Sequence, residues 1–288
     1  MRKLFKPVNR RLRWLVGLML LGLFCIQCAS PEGQQAMVTE KVAVALSTNM
    51  QSASADKFRQ LAQKGHVHAL QYCMENLQQK YRDYTCTFVK QERIGGTLTK
   101  EQEIAVKFRS CPFSVMMAWK TNAPQGDRVL YVEGLYGGNM LVRPANALAR
   151  ALAPTVQRKP DGPDAKRSAL RTVDQFGFEK SLQNLIDVYV LAKERGHLQE
   201  QMGQDAQLDG RAVFTLIRHL PQNADYPAAK TISYIDQEYL LPVMIEAYGW
   251  KDEEFLCRYV FKNIQFTSLG DEDFLPESND LVNPKAAK

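Results

Sequence analysis

Between Tyr81 and Pro144 the chain reads as five short strands in immediate succession, and this run constrains the fold more than any other feature. Apolar or alternating segments are punctuated by IGG, CP, NAPQG and YGGN. Connections this short cannot carry the crossover that a parallel pair requires, so the expected arrangement is an antiparallel meander. In the first strand Tyr84, Cys86 and Phe88 face one way and Thr85, Thr87 and Gln91 the other. The second sets Ile104, Val106 and Phe108 against Glu103, Lys107 and Arg109, the alternation of a half-buried strand. Phe113–Trp119 and Val129–Val132 lose that alternation and are apolar on both faces. A strand of that kind must be covered on both sides.

Two helices frame the meander. Val67, Leu70, Met74, Leu77 and Tyr81 recur at spacings of three and four, which predicts a helix capped by Asp56, ending near Tyr81 and divided by Gly65. A second helix begins at Asp174 or Gly177, carries Phe178, Leu182, Leu185, Ile186 and Tyr189 on one stripe, and stops at Gly196. Further strands follow over Leu198–Leu208, Ala212–Leu220, Lys230–Asp236, Pro242–Trp250 and Glu254–Phe266. The fold class is therefore α+β: roughly ten strands in a highly curved antiparallel sheet wrapped over two or three helices.

The segment 145–171 interrupts the strand pattern. Arg150, Arg158, Lys159, Lys166, Arg167 and Arg171 outnumber Asp161 and Asp164 there. It reads as a solvated basic loop, or as a gate over one face of the sheet or a patch for anionic lipid. Beyond residue 270 the tail 271–288 is acidic, then rich in Pro and Asn, and is expected to fray.

The formal charge of +6 is misleading, because Arg2, Lys3, Lys6, Arg10, Arg11 and Arg13 precede any acidic residue. Without residues 1–28 the remainder is neutral, which removes the electrostatic case for nucleic acid. Those residues place a basic stretch before the apolar WLVGLMLLGLFCIQC, the pattern of an export signal. A lipidated cysteine after such a core becomes the first residue of a lipoprotein, and Cys28 is placed for this, although Gln27 stands where that pattern wants a small residue. Cleavage after Ser30 is the alternative, with Pro31 against it. The expectation is a protein exported to the periplasm or outer envelope and anchored to a membrane through Cys28. Residues 29–55 then form a flexible tether and residues 56–270 a single domain.

Cys73, Cys86, Cys111 and Cys257 are candidates for disulfides in an oxidising compartment, or for plain core thiols. No catalytic, metal or cofactor motif stands out. His66 and His68 would lie on different faces of a helix. Glu92 with Arg93, and Lys107 with Arg109 beside Glu133, are the polar sets from which a hydrolase could be built; cross-strand ion pairs on a wet face explain them better. The apolar surplus points elsewhere. Phe113, Val115, Met117 and Trp119, with Val129 and Tyr131, share one face of the sheet, and Phe178 and Leu182 oppose them from the helix. They form either a core or the wall of a pocket for an acyl chain, a use to which flexible methionine is suited.

The runs YTCTFVKQERIGGTL, EIAVKFRSCPFSVMMAW, VLYVEG, TISYIDQEYLLPVMIEAYGW and FLCRYVFKNIQFTSLGDEDF, in this order, resemble the bacterial family catalogued as domain of unknown function 1571, found mainly in planctomycetes. The resemblance covers about residues 70 to 280, and no activity comes with it. A more distant resemblance is to the LolA/LolB carriers and receptors of envelope lipoproteins and to the sensor domain of RseB. It rests on the strand after K-F-R-x-x-P-F and on Tyr234-Ile-Asp236 followed by Leu241-Pro242-Val243. It implies a LolA-like half-barrel with an acyl-binding hollow. The expected function is thus non-catalytic binding of an acyl chain, a lipoprotein or another apolar ligand. The alternatives are a filled-core domain that binds another envelope protein, and a carboxylate-based hydrolase.

Overall fold

The computed structural model describes residues 51–283. The expected signal segment, Cys28, residues 29–50 of the expected tether and the last five residues of the tail lie outside the described residues. Helix α1 is described over 51–64, so Asp56 sits inside it and is not its cap, and residues 51–55 are helix where a tether was expected. Gly65, at φ 138°, separates α1 from α2 (His66–Lys80). That backbone conformation is one L side chains rarely adopt, which is why the break falls on glycine.

The predicted meander is present as β1 (Tyr84–Ile94), β3 (Gln102–Arg109), β4 (Ser114–Thr121), β5 (Gly126–Val132) and β6 (Met140–Pro144). A two-residue β2 (Thr97–Leu98) folds back on β1. The segment expected as a loop is organised instead into α3 (Ala147–Leu152), β7 (Val156–Arg158) and α4 (Pro163–Ser168). After α5 (Phe178–Glu194) come β8 (Gln199–Met202), β9 (Ala206–Leu208), β10 (Arg211–His219), β11 (Lys230–Asp236), β12 (Pro242–Tyr248) and β13 (Phe255–Phe266).

All of them join one antiparallel sheet of 13 strands, ordered β7-β6-β5-β4-β3-β1-β13-β12-β11-β10-β8, with β2 on β1 and β9 on β10. The large curved sheet does not close. The count exceeds the expected ten because the predicted Leu198–Leu208 strand divides into β8 and β9, and because β2 and β7 are too short to show a period.

The three longer helices supply the cover on the concave face. Phe58 of α1 stacks on Phe214 of β10 at 4.4 Å between ring centroids. Phe178 of α5 packs on Tyr84 of β1 at 4.9 Å and on Phe261 of β13 at 4.5 Å. The buried stripe Phe178, Leu182, Leu185, Ile186 and Tyr189 is the one read from the sequence.

The opposite face of β4–β6 is covered by the chain's own end. Met116, Leu130, Val132 and Leu141 form a second cluster with Phe274 and Leu281. Residues 271–283 are therefore packed, contrary to the expected fraying. The strands that read as apolar on both faces are covered on both, and the tail is the cover the sequence reading missed.

Candidate ligand cavity

The helices do not fill the hollow. A cavity of about 410 Å³ remains over β4–β7 and the neighbouring part of β1 and β13, to which α1 and α2 contribute nothing and α5 only Ser181. Its size falls in the range of about 300–1,000 Å³ usual for ligand sites.

Strand register explains what lines it. Directly paired residues point to the same face, so the floor is built in rows across the sheet. One row runs Met117, Val129, Val142, Val156 from β4 to β7. The next runs Trp119, Ile104, Phe88, Phe261, and the third Lys90, Tyr259, Ile245. All eleven line the cavity. Its floor is apolar along the row from Met117 to Val156. Lys90, Glu92 and Tyr259 line the cavity where β1 meets β13, and Arg158 of β7 with Asp164 of α4 adds a charged pair on the other side.

The roof is the segment between β6 and α5. Ala149 and Ala153 of the α3 region, Ala165 of α4, and Thr172, Val173 and Gln175–Gly177 contribute to it. Gly177 fixes where this segment turns into α5. Its φ is 110°, and a Cβ there would stand 2.8 Å from the Phe108 ring, so the close approach admits only glycine. Asn146 caps α3 by accepting from the Leu148 and Ala149 amides. Leu148 and Leu152 on the outer side of α3 are 72 % and 82 % exposed.

The polar end is a closed cluster. Glu92, 1 % exposed, accepts at Oε2 from Lys90 Nζ (2.8 Å) and at Oε1 from the Tyr259 hydroxyl (2.7 Å) and the Leu170 amide (3.2 Å). Burial, with Cys257 and Glu92 beside it, pushes the Tyr259 phenol well above its usual range, so it stays a donor. Burial likewise pushes the Cys257 thiol up to about 11. The Trp119 indole donates to Gln102 Oε1 at 2.8 Å, holding its ring along the floor.

Of the expected wall, Met117, Trp119 and Val129 line this cavity; Phe113, Val115, Tyr131, Phe178 and Leu182 do not. Phe113 packs edge-on against Phe108 and Tyr131. Val115, Phe178 and Leu182 are core residues, 0–1 % exposed. Lys90, Val142, Val156, Arg171 and Tyr259 were missed as lining. The parity of β1 holds the signal for Lys90 and Glu92, since both follow Phe88 at steps of two onto the inner face.

The residues considered for hydrolysis do not converge. Glu92 points inward, whereas Arg93 pairs with Glu254 at 3.2 Å. Lys107 and Arg109 lie on the opposite face of β3, held by Asp273 (3.4 Å) and Asp271 (2.7 Å) of the tail. Glu133 is exposed beyond the end of β5. Cys73, Cys86 and Cys257 are buried free thiols and Cys111 is an exposed one. Among the described residues no group of three or more His, Cys, Asp or Glu is set to hold a metal ion.

Solved structures with a similar fold include a DUF1329 family protein from Desulfovibrio piger, at 13 % identity over 79 % of this chain and 98 % of that one, with a TM-score of 0.33. A LolA superfamily protein from Nitrosomonas europaea is 9 % identical over 71 % of this chain and 96 % of its own, at 0.33. Lipoprotein LppX from Mycobacterium tuberculosis is 11 % identical over 71 % and 97 %, at 0.42. The comparison with curated proteins finds no match. The family model described as protein of unknown function (DUF1571) matches residues 81–283, which takes in the whole meander, the cavity roof, α5 and the packed tail. The chain belongs to that family.

Proposed function

We propose that this protein binds an acyl chain or a similarly shaped apolar ligand in the hollow, without catalysis, as an exported protein held at a membrane through Cys28. The observation that carries the binding reading is the 410 Å³ space itself. Valine, methionine, isoleucine and aromatic side chains floor it where a filled core would need α5 to reach, and an apolar space of this size is stabilised by an apolar occupant.

The test is uptake of the neutral fluorescent probe N-phenyl-1-naphthylamine by the full chain, together with native mass spectrometry after purification without detergent. Val129 sits mid-floor, paired with both Met117 and Val142. Val129→Trp is expected to abolish probe uptake by filling the space. A wild-type protein that is ligand-free and takes no probe would favour the alternative of a domain that binds another protein.

The anchoring reading is supported by the sequence around Cys28 alone. Cells given an alkyne-tagged palmitate are expected to label the wild-type protein and not Cys28→Ser; equal labelling of the two would refute the anchor.

A further inference from the structure

We propose that the occupant of the hollow is an amphiphile with one anionic head, a carboxylate or a phosphate, held at the polar end by Arg171 and Lys90. The inference rests on the ligand-binding reading above and adds the ligand's chemistry and its orientation.

Three cationic and two acidic side chains line the cavity. Arg158 is matched by Asp164 at 3.3 Å and Lys90 by Glu92 at 2.8 Å. Arg171 is left over. Among the described residues its contact is the ring of Tyr259, with the guanidinium carbon 6.0 Å from the centroid. Glu92 makes no ion pair with it and takes Lys90, the Tyr259 hydroxyl and the Leu170 amide instead.

Lys90 is also under-satisfied. An ammonium has three N–H donors, this one is on a residue only 7 % exposed, and the carboxylate of Glu92 takes one of them. A buried cation with unspent donors is costly unless something accepts from it.

The two cations converge on one place. Lys90 stands directly opposite Tyr259 across the β1–β13 pair, and Arg171 lies over the same ring. An anionic head beside Tyr259 would meet both, and a guanidinium can grip a carboxylate or phosphate through two parallel hydrogen bonds. From that point the row Phe88, Ile104 and Trp119 leads on to Met117 and Val156, which sets the chain's direction.

The experiment is displacement of N-phenyl-1-naphthylamine from the full chain by laurate, methyl laurate and dodecyl phosphate, which share a twelve-carbon chain. Laurate or dodecyl phosphate is expected to bind about tenfold or more tightly than the uncharged ester, and the stronger of the two names the head. Arg171→Gln is expected to bring the ratio of acid to ester near one. The double variant Lys90→Met/Glu92→Leu, which removes the pair without stranding a charge, is expected to lower the ratio as well. Equal binding of acid and ester by the wild type, or a ratio untouched by Arg171→Gln, overturns the head-group assignment while leaving the hollow as a ligand site. Failure of all three compounds and of the probe overturns both.

Discussion

Glu92→Ala is expected to lose about 3–5 kcal/mol in urea unfolding, the range typical of removing one member of a buried ion pair. Glu92 lies in the middle of β1, is 1 % exposed, and accepts from three donors at once. Alanine would strand the Lys90 ammonium in a space walled by Phe88, Trp119 and Ile245, and would leave the Tyr259 hydroxyl and Leu170 amide without their acceptor. The stranded charge is the larger of these costs. Lys90→Met/Glu92→Leu, which keeps the volume and removes both charges, is therefore expected to recover a large part of the loss. What remains belongs to the two orphaned neutral donors, the Tyr259 hydroxyl and the Leu170 amide. If Glu92→Ala unfolds within 1 kcal/mol of the wild type, water reaches this end of the hollow freely and the cluster is not closed.

The double variant also bears on why the pair is there. An apolar replacement of a buried ion pair is often neutral or stabilising, so a Lys–Glu pair in the floor of an apolar hollow is weak as a stability device. It has a clearer use if a ligand head completes the unspent donors of Lys90. The same substitution thus reads stability in urea and head-group preference in displacement, and the two can move in opposite directions.

How far the sequence reached is itself explained by range. The alternation in β1 and β3, the loss of alternation in β4 and β5, and the stripe on α5 are local properties of consecutive residues. Each survived into the structure, as did the breaks at Gly65, Gly177 and Gly196, all at positive φ. The roof was not legible, because α3 and α4 are six residues each, under two turns, and hold no period to detect. Parity placed Met117, Trp119 and Val129 on the correct face. It could not say that Val115 and Tyr131, on that same face, would lie beyond the end of the hollow. That outcome depends on where α5 crosses the sheet, a tertiary offset set by Phe178 meeting Tyr84 and Phe261. Likewise nothing local joins Phe274 to Met116, residues far apart in the chain.

That last contact carries the other large effect. Phe274→Ala is expected to cost about 3–5 kcal/mol, as for a buried phenylalanine in a core. Phe274 is 3 % exposed and closes the outer cluster over Met116, Leu130 and Leu141. The tail also brings charge pairs, Lys107 with Asp273 and Arg109 with Asp271. Asp271, however, is 90 % exposed at its side chain, and pairs that open to water contribute only about 0–1 kcal/mol. Asp271→Asn should therefore unfold within about 1 kcal/mol of the wild type, while Phe274→Ala does not. The stacking of the Arg109 guanidinium on the Phe274 ring at 4.8 Å would be lost with the ring as well, adding to the apolar term. Equal and small effects of the two substitutions would mean that the tail lies loosely on the sheet and adds little to its stability. A large effect confined to Phe274 identifies the tail as the outer half of the core, the second cover that strands β4 and β5 demand.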